Sequence, residues 1–108
     1  MKKKDTFRTA QIDFDGSVHA KEITAWKIID ASLPNNQHGW YAYRKVFGGG
    51  HQTWHLIEGR TGLSVQWANT LRNTIDAFLR DEVKVTTWRA KAANMPSVES
   101  LPLRSEHA

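Results

Sequence analysis

At 108 residues, 40% hydrophobic and 24% charged, the chain is long enough for one domain with a modest core and too short for two. Zero cysteines exclude disulfides, thiol catalysis and cysteine-ligated zinc, and no apolar run approaches the roughly 20 residues of a membrane-crossing helix. A formal charge of +4 favours anionic partners, nucleic acid first, although a surplus of that size also serves solubility alone.

The basic start, Met1-Lys2-Lys3-Lys4, is followed by no hydrophobic segment. No secretory signal is read there, and the cytoplasm is the expected compartment. Residues 7–23 read as a hairpin, with Phe7, Ile12 and Phe14 as strand formers and Asp15-Gly16 as the turn. Next, Ile23, Trp26, Ile29 and Leu33 lie close to helical spacing, and Pro34-Asn35-Asn36 ends the run. That predicts a helix over 21–32, with Ile28-Ile29 leaving a strand as the alternative. Residues 35–39 are a loop.

Residues 40–47 form a strand rich in aromatics, and Gly48-Gly49-Gly50 turns it back into residues 51–58. Two registers compete here. A three-residue loop sets Arg44 opposite Trp54 and Ala42 opposite Leu56, sending Trp40, Ala42 and Val46 to the core face. Tyr41, Tyr43, Lys45, Phe47, Thr53, His55 and Ile57 then lie on the other face. A loop one residue longer or shorter turns Tyr41 and Tyr43 inward. The first register is preferred.

Gly59-Arg60-Thr61-Gly62 makes a second tight turn. Setting Gly59 opposite Gly62 pairs Glu58 with Leu63, Leu56 with Val65 and Trp54 with Trp67. All five apolar residues then share the core face, and only Glu58 is out of character. Beyond it, Leu71, Ile75, Phe78 and Leu79 recur at i, i+4, i+7 and i+8, an apolar stripe on a helix over 70–82. Asn69 or Thr70 supplies the N-cap. Residues 83–87 extend that helix or form a short strand. Trp88, Lys91, Ala92 and Met95 suit a second helical piece, stopped by Pro96. The expectation is an α+β domain over 1–95, an antiparallel sheet of N-terminal hairpin plus three-stranded meander packed on one or two helices. Residues 96–108 read as a flexible tail.

The order helix 21–32, three strands and helix 70–82 resembles the α-β-β-β-α order of double-stranded RNA-binding domains, as topology alone. In that family the last helix opens on lysines that contact phosphate. Here the corresponding stretch is Thr70-Leu71-Arg72-Asn73-Thr74-Ile75-Asp76, with one cation and one acid.

No side-chain pattern points to catalysis. On a strand, His51 and His55 sit roughly 13 Å apart, too far to share a metal ion. Gly48 to Gly50 is followed by a strand rather than the helix a phosphate loop needs. Candidate binding residues come from the five tryptophans and the basic aromatics. Trp40 and Trp88 lie near Arg44 and Arg89, as aromatics at binding surfaces do. Tyr43, Lys45 and His55 would form an aromatic-basic platform. The expected role is a small non-enzymatic binding protein with a protein partner, without cofactor or metal. The alternative is a nucleic-acid-binding module using Lys2–Lys4 and the Tyr43/Lys45/His55 face. Strand 40–47, if exposed at an edge, would also offer a route to a homodimer.

Overall fold

The computed structural model describes residues 3–12, 14–34 and 39–103. Met1, Lys2, Asp13, the stretch 35–38 within the expected loop, and residues 104–108 lie outside it. The described residues form an α+β fold of five antiparallel strands in sequence order: β1 (Lys3–Ile12), β2 (Val18–Ile28), β3 (Trp40–Val46), β4 (Gln52–Glu58) and β5 (Ser64–Ala68). Two helices follow, α1 (Leu71–Arg80) and α2 (Glu82–Ala93).

The N-terminal hairpin extends well beyond 7–23, pairing Lys3 with Lys27 at one end and Ile12 with Val18 at the other. Its turn closes on Gly16 at φ 87°, while the Asp15 carboxylate accepts from the Ser17 amide and hydroxyl. The expected helix over 21–32 is therefore a correction: residues 18–28 are strand. The near-helical spacing has another origin. Ile23 and Ala25 are buried on one face of β2, and Ile28 is buried and Trp26 half-buried on the other, so the buried face changes between residues 25 and 26. A strand buried on both faces loses the strict alternation that marks a half-buried one. From Trp40 onward the order strand, strand, strand, helix is as expected.

Between β3 and β4 the preferred register holds, with Arg44 opposite Trp54 and Ala42 opposite Leu56. The glycine loop is a single 3-10 turn in which Gly49 and Gly50 take positive φ. Strand β3 lies inside the strand order but is paired on both sides only in part: it pairs with β4 along its whole length and with β2 over Trp40–Ala42, so Tyr43–Val46 have no β2 partner.

One face of β2–β5 carries the main core. Ile28, Trp40, Ala42, Trp54 and Leu56 pack with Leu33 and with Ile75 and Phe78 of α1, so the helical stripe closes the core as its spacing predicts. Thr70 caps α1 by accepting from the Asn73 amide at 3.1 Å. Asp81 ends α1 and caps α2, its carboxylate accepting from the Val83 and Lys84 amides, so residues 82–93 form a separate helix. Trp88 of α2 reaches the core, with ring centroids 5.0 Å from Trp40 and 6.2 Å from Phe78.

The sheet also curls. Ala10 donates its amide to the Gly62 carbonyl at 2.9 Å and the Thr9 hydroxyl does so at 2.8 Å, so β1 touches the turn between β4 and β5. Glu58 shapes that turn. Its carboxylate accepts from the Arg60 amide and from the Thr61 amide and hydroxyl, which accounts for a buried carboxylate beside the core. Inside the curl lies a second apolar cluster on the opposite face of the sheet. Phe7 stacks on Tyr41 at 4.0 Å, and Ile23, Ala25 and Ile57 are buried on the same face. Residues 97–103, within the stretch read as a tail, run alongside. Val98 is buried and donates to the Arg60 carbonyl, and Ala20 donates to the Pro102 carbonyl.

Candidate functional site: an open aromatic row on the sheet

The curl covers only part of the second sheet face. Toward the glycine loop that face stays open, and three rings line up across three strands. Tyr43 of β3 is opposite His55 of β4, which is opposite Trp67 of β5. Centroid separations are 6.2 and 6.5 Å, with the rings tilted 43° and 33°. Trp67 is 61% exposed, a large apolar surface for a tryptophan in a regular strand. Beside the row, Lys45 lies 5.3 Å from the Phe47 ring, and Phe47 is itself exposed.

Trp67 joins this row because of a β-bulge. Near the turn the expected register holds, since the Glu58 amide donates to the Leu63 carbonyl and Ile57 is opposite Ser64. Between Leu56 and Ile57 it slips: Leu56 faces Gln66 instead of Val65, leaving Val65 as the extra residue. Every position beyond the slip changes face. Trp67, expected in the core opposite Trp54, is turned to the open face, and Ala68 takes its place. Val65 still packs on the core. Five uniform alternating residues hold no local signal for such a bulge, so Trp67 was not among the candidates.

His55 is the fixed point of the row. Its Nε2 lies 3.0 Å from the Thr53 hydroxyl and its Nδ1 3.2 Å from the Ser64 hydroxyl, so both ring nitrogens are engaged by neutral groups. Burial of the ring, and secondarily the nearby Lys45 charge, hold its pKa below the ordinary 6.5. At neutral pH the centre of the row is thus an uncharged ring. The Lys45 charge lies near it. Lys27 and Lys45 belong to this face, and among the described side chains of β2–β5 the face carries no carboxylate.

The structure brings Tyr43, Lys45 and His55 together as the sequence suggests, and separates the other candidates from them. Trp40 is core, 4% exposed, its indole N–H donating to the Pro34 carbonyl. Trp88 packs against it. Arg44, itself exposed, lies on the helix side, its guanidinium 5.9 Å from both the Trp26 and Trp54 rings. Arg89 is exposed on α2. Among the described residues no three metal-ligating side chains gather, and no helix is long and apolar enough to cross a membrane.

What fold and site define together is a curled five-stranded α+β domain with an open aromatic face. No family model matches the chain, and comparisons with curated proteins and with solved structures likewise return no match.

Proposed function

We propose that the protein is a small, non-enzymatic, cytoplasmic binding protein whose open sheet face is a stacking platform for single-stranded nucleic acid. The observation that carries this reading is the row Tyr43–His55–Trp67, an uncharged set of rings with Lys45 beside it and no carboxylate on that face among the described side chains of β2–β5. Bases stack on aromatic side chains without regard to sequence, and cations beside the rings meet the phosphates. The chain's surplus of +4 acts in the same sense. A protein partner, the first expectation from sequence, would use the same open face; of the other aromatic candidates, Trp40 is in the core and Trp88 packs against it.

The test is a titration with a single-stranded oligonucleotide, followed by tryptophan fluorescence at two salt concentrations. Trp67→Ala is expected to lose about 1–3 kcal/mol of affinity. Lys45→Ala should flatten the salt dependence by roughly 0.7 of a log unit per log unit of salt. No binding at low salt, or binding indifferent to both salt and Trp67, refutes the nucleic-acid reading and returns the face to a protein partner.

A further inference from the structure

The three rings of the open row stand apart by nearly twice the distance between stacked bases. Tyr43 and His55 are 6.2 Å apart and His55 and Trp67 6.5 Å, centroid to centroid. Bases in a stacked strand follow one another at about 3.4 Å. The rings are also inclined to one another, by 43° and 33°, so bases laid flat on them cannot stay parallel. A strand therefore occupies consecutive rings only by giving up the stacking between its own bases. The row is short as well. Trp67 lies on β5, the last strand of the sheet, and on the other side the β2 ladder stops at Ala42, one residue before Tyr43. Toward the curl the same face is closed by Phe7 stacked on Tyr41. Lys45 is exposed in the adjoining cross-strand pair on this face. The Thr53 and Ser64 hydroxyls are committed to the two nitrogens of His55, so they do not tell one base edge from another.

Resting on the stacking-platform reading, we infer that the row is a three-nucleotide site that selects strands which unstack easily. Its ligand is a pyrimidine-rich single strand, one base to each ring, with a phosphate at Lys45. The ring faces accept any base, so the choice is made by what the strand gives up. Purines stack on their neighbours more strongly than pyrimidines, and spreading them over two ring-to-ring steps costs an adenine run more than a thymine run. If contact with the rings alone decided, the order would be reversed, because a purine has the larger face. Here that larger face finds little to cover. Tyr43 and His55 each present a single ring, which a pyrimidine already spans, so a purine gains additional contact on Trp67 alone. The loss at two steps therefore outweighs the gain at one ring.

Low-salt titrations with oligo-dT and oligo-dA of increasing length, followed by tryptophan fluorescence, test it. At three nucleotides oligo-dT is expected to bind roughly fivefold tighter than oligo-dA, or more. Each added thymidine should strengthen binding up to the third. From three nucleotides to six the further gain should be no more than about fourfold, the number of overlapping triplets that the longer strand offers. In Trp67→Ala the affinity should level off at two nucleotides instead of three. Trp67 is exposed, and circular dichroism checks that the variant folds. Three results overturn the inference and leave the platform reading in place: oligo-dA bound as tightly as oligo-dT, affinity that climbs steeply past the third nucleotide, or a levelling-off length that folded Trp67→Ala does not shorten. Binding of neither homopolymer at any length overturns both.

Discussion

Gly62 shows how a single hydrogen atom can carry tertiary meaning. Its φ is +72°, and a Cβ there would stand 2.7 Å from the Ala10 amide nitrogen and 2.8 Å from a Val98 methyl. Gly62→Ala should therefore cost about 2 kcal/mol or more, left-handed strain plus displacement of β1 and Val98. Denaturant unfolding measures it, and a stability equal to the wild type would mean that the curl does not close at this point. At His55 the prediction concerns pH. Its folded pKa lies below its unfolded value, so as pH falls the unfolded chain takes up the proton first. The stability that the neutral ring contributes is whole above about pH 6.5 and is lost as pH falls from there through the folded value. Unfolding free energy should decline over that range in the wild type and less steeply in His55→Gln. Parallel curves for the two proteins would show that the ring is not desolvated.

At the scale of elements, legibility followed the size of the periodic signal. The stripe on α1 spans two turns, and the structure places Ile75 and Phe78 in the core with Arg72 and Asn73 exposed. Ile75→Ala is expected to cost about 2–5 kcal/mol. Asn73→Ala should change stability by less than about 0.5 kcal/mol. Chemical denaturation compares the two, and equal losses would mean that α1 does not pack as described. Elements whose burial is set by distant chain were misread. Strand β2 looked helical because its buried face changes midway, and Trp67 looked like core because the bulge that turns it outward sits two positions earlier. Helix α2 was half legible. Its end at Pro96 was visible, but its start depends on Asp81 capping a new helix directly after the last turn of α1.

At the scale of the molecule, the C-terminal segment is where sequence and structure differ in consequence. Residues 96–108 read as a flexible tail, yet Val98 is 2% exposed and residues 98 and 102 bond to Arg60 and Ala20. Beyond Trp26 the ladder from β2 to β3 stops, so the free edge of β2 near Ala20 is met by Leu103 as a parallel bridge. A chain ending at Pro96 should lose about 2 kcal/mol or more, from burial of Val98 and the hydrogen bonds that go with it. Thermal or denaturant midpoints will show this. An unchanged midpoint would restore the reading as a tail.

Local rules were enough for whatever depends on neighbours in the chain. Asp15-Gly16, the three glycines and Gly59 to Gly62 determined the hairpins, and a 3.6-residue stripe determined α1 and the face it buries. At the β3–β4 hairpin they left two registers, and the structure has the preferred one, with Tyr43, Lys45 and His55 on one face. The tertiary structure alone decided which part of that face stays open. The curl of β1 onto Gly62 buries one half, around Tyr41 and Ile57, and leaves the other half to Tyr43, His55 and Trp67. The reason is physical. Period-two alternation tells which residues share a face, but a face is covered or open only according to what lies across from it. Here that is a strand more than fifty residues away in sequence.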